Sequence, residues 1–296
     1  MLYGAVETGG TKIICSVLDE AGQLLDSLRF STGLPDNAVK TIADYFIGRK
    51  IAGLGIGSFG PVNLHITSPA YGTVLETPKA GWEHYPFLKR LWERLGVPAL
   101  IDTDVNCACM GELKYGAARN ANTAIYITVG TGIGVGVCIG GETLKGMLHP
   151  EAGHILIRRN RQDRFEGICR YHKDCFEGLA CGAALEKRCG MAAYELAADA
   201  PVWKLEAEYI AQAVTNYILA YSPEKVILGG GVMEQQQLFP MIRKGVCENL
   251  NGYIQTAQMK DLEHYIIPAE LNGKQGIMGA YCLAKKAAEC GGCEWK

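Results

Sequence analysis

Apolar and polar positions along the chain fall into two kinds of segment, short apolar runs bounded by glycine-rich turns and longer stretches in which apolar residues recur at helical spacing. The runs at 2–7, 13–19, 23–30, 53–57 and 99–102 have the length and composition of strands, and 37–49, 86–95 and 106–115 carry the period of amphipathic helices. A two-stranded segment is predicted around 64–73. The second half opens on apolar runs at 124–129 and 133–139, which predict a hairpin about Gly130-Thr131-Gly132. Helices near 180–189 and 204–221, a strand at 225–228 and further helices follow. Strands interleaved with helices predict an α/β fold. Each half begins with a hairpin whose turn is built from glycine and threonine, and this echo predicts two related lobes facing a cleft. The first lobe is expected over 1–115, completed by a C-terminal helix at about 282–296, and the second over 116–281, with a hinge at Tyr115-Gly116-Ala117-Ala118.

A chain of 296 residues is long enough for about two domains. Its 31 acidic and 29 basic residues leave a formal charge of −2, whereas nucleic-acid binding draws on a basic surplus that neutralises phosphates. No nucleic-acid partner is expected, and the run Arg158-Arg159-Asn160-Arg161 reads as a solvated loop. The uncharged stretch 121–141 has the length of a membrane span, but its glycines with Asn122, Thr128 and Thr131 favour the hairpin, so no membrane partner is expected. The opening Met1-Leu2-Tyr3-Gly4 lacks a basic region followed by an apolar one, which predicts a cytoplasmic protein. Its 12 cysteines should then be mostly reduced thiols. Cys15, Cys107, Cys109, Cys138, Cys181, Cys189, Cys247 and Cys282 read as small buried hydrophobes, Cys290 and Cys293 carry no assigned role, and Cys169 and Cys175 stand apart.

The chemistry concentrates at the turns. Glu7-Thr8-Gly9-Gly10-Thr11-Lys12 offers backbone N–H groups, a hydroxyl and a cation to an anion, or else is a plain hairpin turn. No P-loop is present, and the G-x-G-x-x-G of a dinucleotide fold is missing from a strand-to-helix turn. Thr128-Val129-Gly130-Thr131-Gly132 repeats the device, and Gly229-Gly230-Gly231-Val232, after a strand, would let a base and ribose approach or serve as a tight turn. Asp104, between a strand and a helix, reads by itself as a helix cap.

Taken in order, Glu7 to Lys12, Gly57-Ser58-Phe59-Gly60-Pro61, Thr77-Pro78-Lys79-Ala80-Gly81-Trp82, Asp104-Val105-Asn106, Gly130-Thr131-Gly132, Glu151-Ala152-Gly153-His154, a cysteine-rich segment and Gly229 to Val232 resemble the ROK family of sugar kinases, in its bacterial zinc-containing fructokinase branch. The resemblance covers nearly the whole chain. It implies a two-lobed actin-like, ribonuclease-H-like ATPase fold with a cleft, and ATP-dependent phosphorylation of a hexose at its primary hydroxyl. D-fructose, giving D-fructose 6-phosphate, is the first expectation, with mannose or glucose as alternatives.

Residue by residue, the resemblance makes Asp104 the catalytic base and Gly60, Pro61, Asn106, Glu151, His154 and Glu177 the sugar ligands. Gly9, Gly10, Thr11, Lys12, Thr131, Gly132, Gly229, Gly230 and Gly231 would hold the nucleotide. His154 with the C-x2-H-x2-C segment Cys169, His172 and Cys175 makes a closed tetrahedral set, read as structural Zn²⁺, with His172 where the family more usually has cysteine. Glu7 stands where an aspartate near Mg²⁺ is commoner and reaches one methylene further. A homodimer is also implied. The rival reading from another class, a non-catalytic sugar-sensing protein or a regulator of the same family, is disfavoured because regulators carry a helix-turn-helix domain ahead of the first turn, where Glu7 leaves no room.

Overall fold

The structure, a computed structural model, describes residues 1–291. In chain order the elements begin with β1 (Leu2–Thr8), β2 (Lys12–Asp19), β3 (Leu24–Ser31), α1 (Pro35–Phe46), β4 (Ile51–Ser58), α2 (Phe87–Leu95), β5 (Ala99–Thr103) and α3 (Asp104–Tyr115). They continue with β6 (Ala124–Val129), β7 (Ile133–Ile139), β8 (Glu142–Thr143), α4 (Phe176–Ala180), α5 (Gly182–Cys189) and α6 (Val202–Tyr221). The last are β9 (Lys225–Gly229), α7 (Leu238–Leu250), α8 (Ala257–Lys260), α9 (Leu262–Tyr265), β10 (Ile266–Pro268) and α10 (Gln275–Cys290).

Two compact units result. The first takes in Met1–Arg119, Glu142–Pro150 and the chain from Leu271, and the second Asn120–Gly141 and Glu151–Glu270. The sequence predicts lobes over 1–115 and 116–281; of the latter range, 116–119, 142–150 and 271–281 group with the first unit. The final helix starts at Gln275, earlier than the expected 282, and Cys293 with the rest of 292–296 lies outside the described residues.

In the first unit the sheet order is β3-β2-β1-β4-β5. The β1–β2 and β2–β3 pairs are antiparallel, and β1–β4 and β4–β5 parallel. The second unit repeats this scheme: β6 pairs antiparallel with β7 and parallel with β9, which pairs parallel with β10. The echo in the sequence is therefore an echo in topology.

Local chemistry accounts for most element ends. Helix α1 buries Ala38, Val39, Ile42, Ala43 and Phe46, one face at helical spacing, and starts on Pro35, where a missing N–H costs nothing. Helix α2 stops at Gly96, whose φ of 61° is the left-handed cap conformation. Helix α10 approaches its neighbours backbone to backbone: a Cβ on Gly55 of β4 would stand 1.8 Å from the Ala280 carbonyl oxygen, and one on Gly279 would stand 1.8 Å from that of Cys107 in α3. Glycine is required at both.

The predicted strands at 64–73 do not form, and only a single bridge joins Val62 to Val74. The Asn63 carboxamide accepts from the His65 N–H at 3.1 Å, and Ser68 Oγ from the Ala70 N–H at 3.2 Å. These side chains take up backbone groups that a ladder would use. Cys247 is exposed on α7, and Cys189 and Cys282 are half-buried, so these three are not the core residues expected. Among the described residues no helix is long and apolar enough to cross a membrane.

Candidate active site and metal cluster

Three segments leave the first sheet from one row. Register pairs Thr8 with Ser58 and Ser58 with Thr103, so the turn after β1, the loop after β4 and the start of α3 share the C-terminal edge of three parallel strands. That edge is where open α/β sheets place their ligands. The turn is closed by the Gly9 N–H donating to the Lys12 carbonyl at 2.8 Å, with Gly10, Thr11 and Lys12 exposed. Gly60 and Pro61 follow Phe59, whose N–H donates to the Thr8 carbonyl at 2.9 Å. Beneath the turn, Glu7 Oε2 is buried without a hydrogen-bond partner, and burial raises its carboxyl against the opposing charge of Lys12.

Asp104 is the first residue of α3, but it is not the cap. Thr103 is: its hydroxyl accepts from the Asn106 N–H at 3.1 Å. The Asp104 carboxylate instead accepts from the Val105 N–H at 2.8 Å, at a helix N-terminus whose dipole favours the anion. Asn106 is oriented from below by Asp102, a fully buried carboxylate absent from the sequence reading. Asp102 Oδ1 accepts from Asn106 Nδ2 at 2.7 Å and the Thr103 N–H at 2.8 Å. Its Oδ2 accepts from the Thr143 hydroxyl at 2.7 Å and lies 3.0 Å from Lys145 Nζ.

The 142–150 segment reaches the sugar-motif loop as well. His149 Nε2 accepts from the Val62 N–H at 3.1 Å, next to Pro61, and burial lowers this imidazole below its ordinary range. Lys79 lies in the Thr77–Trp82 motif. Its Nζ donates to the Gly10 carbonyl at 2.8 Å and stands 4.7 Å from the Phe59 ring centroid. Burial lowers its ammonium below the usual range, against the pull of the Asp104 carboxylate.

In the second unit Thr128 of β6 pairs with Gly229 of β9, so the Gly130–Gly132 turn and the Gly230 turn also leave one row. The first of these is held at both ends: Gly182, opening α5, donates to the Gly130 carbonyl at 2.6 Å, and Glu177 Oε2 accepts from the Ile133 N–H at 3.0 Å. Glu177 Oε1 lies 3.8 Å from His154 Nδ1. Glu151 is solvent-accessible, yet crowding by protein and the Glu177 charge push its carboxyl up to about 7.

The ring of donors predicted from spacing is assembled. One ligand atom each from His154, Cys169, His172 and Cys175 falls within 4.8 Å of all the others. His154 Nδ1 stands 3.7 Å from Cys169 Sγ and 3.5 Å from Cys175 Sγ, and His172 Nδ1 is 3.7 Å from Cys169 Sγ. Zinc bonds of about 2.0–2.3 Å place tetrahedral neighbours about 3.6 Å apart, so the donors match such a site. Burial otherwise pushes the Cys175 thiol up to about 12.

A sequence profile of the ROK family matches residues 3–287. The chain belongs to the ROK family. It is 45% identical to a Bacillus subtilis (strain 168) relative over 97% of each chain, and 42% identical to a fructokinase of Pediococcus pentosaceus over 97% of this chain and 99% of that one. Among solved structures it is similar to a ROK family glucokinase from Streptomyces griseus in complex with glucose and AMPPNP, with a TM-score of 0.76, 26% identity, and coverage of 97% and 100%. The ROK fold class, an actin-like α/β ATPase fold, is thus that of this chain.

Within this ROK chain the third glycine cluster is largely explained by packing. Gly230 has φ of 91°, and a Cβ there would stand 2.5 Å from the Val129 carbonyl oxygen; one on Gly229 would stand 2.6 Å from the Tyr126 hydroxyl. Only Gly231 of the three has open space around it. Asp102, Thr143, Lys145 and His149 escaped the sequence reading because each acts through a contact more than forty residues away, or supports a residue that was itself the signal.

Proposed function

We propose that the chain transfers the γ-phosphoryl group of ATP to the primary hydroxyl of D-fructose, giving D-fructose 6-phosphate and ADP. The observation that carries the reading is the common edge of the first sheet, from which the Gly9–Lys12 turn, the Gly60-Pro61 loop and Asp104 with Asn106 all leave, in a chain alike over its full length to a fructokinase. Asp104 accepts the hydroxyl proton as the oxygen attacks phosphorus. Gly60, Pro61, Asn106, Glu151, His154 and Glu177 are the residues proposed to hold sugar hydroxyls.

Backbone N–H groups and hydroxyls of Gly9, Gly10, Thr11, Thr131 and Gly132, with the Lys12 cation, hold phosphate oxygens, and Gly229, Gly230 and Gly231 meet the nucleoside. The unpartnered buried Glu7 Oε2 suits a carboxylate that receives hydrogen bonds from a hydrated Mg²⁺. Bound there, Mg²⁺ offsets phosphate charge. His154, Cys169, His172 and Cys175 would hold Zn²⁺, and a set of four protein ligands leaves no open position, so the ion is structural. The reading carries with it a cytoplasmic homodimer, tested by sedimentation and by cell fractionation.

A coupled ADP-release assay across fructose, mannose and glucose tests the proposal. The highest kcat/KM is expected for fructose, with product phosphorylated at the 6-hydroxyl. ADP release unaffected by any hexose would refute it, and a preference for glucose or mannose would replace fructose with that sugar.

A further inference from the structure

Lys79 joins the two pieces of machinery on the first unit. Its ammonium donates to the carbonyl of Gly10, at the apex of the phosphate turn, and it is close enough to Asp104 for that carboxylate to oppose the effect of burial on it. The side chain is half-buried and lies over the Phe59 ring, a face that attracts a cation while giving it nothing to hydrogen-bond. The loop that presents it is tied down by hydrogen bonds and ring packing. The Trp82 N–H donates to the Lys79 carbonyl at 3.1 Å, the Trp82 indole N–H to the Gly33 carbonyl at 2.9 Å, and the buried indole packs against Phe59 and Phe87. Lys12, by contrast, is exposed and its charge acts on Glu7 beneath the turn.

An ammonium offers three donors, and Gly10 takes one. From the geometry we infer that Lys79 is a catalytic residue, the cation that contacts the γ-phosphoryl oxygens while the group passes from the phosphate turn toward the hydroxyl deprotonated by Asp104. The inference rests on the kinase reading above. In the step, the sugar oxygen forms its bond to Pγ as the bond from Pγ to the ADP oxygen breaks, ADP leaves with that electron pair, and the hydroxyl proton goes to Asp104. Lys79 keeps its protons throughout. Its charge offsets the charge spread over the equatorial oxygens, the term on which phosphoryl transfer chiefly depends.

The rival is a structural tie between the turn and the 77–82 loop. Lys79→Gln separates the two, since a carboxamide retains an N–H for the Gly10 carbonyl but carries no charge. In the full-length enzyme with fructose and ATP, Lys79→Gln is expected to lower kcat on the order of 10²–10³ with the fructose KM unchanged. Lys79→Arg should recover part of the loss. Replacing ATP by ATPγS, which puts sulfur at a γ-oxygen, should slow wild type more than Lys79→Gln, because only wild type has the contact to lose. Retention of wild-type kcat by Lys79→Gln, or an equal thio effect in the two proteins, overturns the assignment and leaves the tie alone. Wild-type enzyme that phosphorylates no hexose is a different failure, that of the kinase reading itself.

Discussion

Replacing Asp102 by alanine tests whether the carboxylate beneath the site orients Asn106. Asp102 accepts from four groups, and three of them, the Thr103 N–H, the Asn106 carboxamide and the Thr143 hydroxyl, belong to buried residues. In Asp102→Ala the Thr143 hydroxyl can rotate to another acceptor. The half-exposed Lys145 returns to water, a loss of about 0–1 kcal/mol. The Thr103 N–H and the Asn106 carboxamide have no such escape, and two buried donors left unpaired cost about 1–3 kcal/mol each, or about 2–6 kcal/mol together. At roughly 2–4 °C per kcal/mol for a unit of this size, Tm should fall by at least about 4 °C. Asp102→Asn, with its carbonyl oxygen in the place of Oδ1, keeps both of those bonds and should lose only about 1 kcal/mol. Calorimetric unfolding gives the stabilities, and coupled kinetics give the second half of the claim: the fructose KM should rise in Asp102→Ala and the ATP KM should not. An alanine variant that melts with wild type and binds fructose equally well would show that Asn106 is oriented by something else.

Asp104→Asn should lower kcat by about 10²–10⁴. Because Thr103 supplies the cap, Tm should hold, and wild-type turnover in this variant would remove Asp104 from the mechanism. Elemental analysis should find about one zinc per chain in purified protein and none in Cys169→Ser. Well-folded, metal-free active enzyme would refute the site. Glu151, raised to about 7, should make kcat/KM for fructose climb as pH rises through that value, since the ionised carboxylate accepts from the sugar; Glu151→Gln should flatten the profile. The same shift has a sign for stability: the native state binds the Glu151 proton more tightly than the unfolded chain, so its contribution is greatest below the ordinary carboxylate range and is lost as pH rises through about 7. Unfolding free energies of wild type and Glu151→Gln measured across that window should converge at low pH.

Turn chemistry is local, and the sequence displays it. Gly9, Gly10 and Thr11, and likewise Gly130 to Gly132, advertise their hairpins through residue type alone, and the C-x2-H-x2-C spacing brings its ligands together within one loop. Asp104 shows where a local rule fails: both it and Thr103 are good caps, and only the backbone of α3 decides that Thr103 accepts from Asn106. Lys79, Lys145 and His149 leave no local trace because their partners, Gly10, Asp102 and Val62, lie far along the chain. Gly55 and Gly279 likewise read as ordinary weak points in a strand and a helix until α10 is seen against β4 and α3.

Glu177 decides how far sugar recognition can be separated from phosphate binding. The sequence suggests a clean division, with carboxylates flanking the metal segment on the sugar side and the glycine-threonine turns on the phosphate side. In the structure Glu177 reaches both the metal cluster and the second turn. Glu177 sits two residues after Cys175, in the first turn of α4, with one carboxylate oxygen near His154 Nδ1 and the other accepting from the N–H of Ile133, the residue that ends the second turn. A Cβ on Gly132 would stand 2.8 Å from that second oxygen, so the turn closes directly onto the carboxylate. An ion held by four protein ligands would do no chemistry of its own, but it would fix Cys175 and His154, and through Glu177 the backbone of Gly132 and Ile133. On the proposed reading, an ion in the cluster would position the Gly130–Gly132 turn as well as Glu177, and Glu177→Gln is expected to raise the KM of both ATP and fructose.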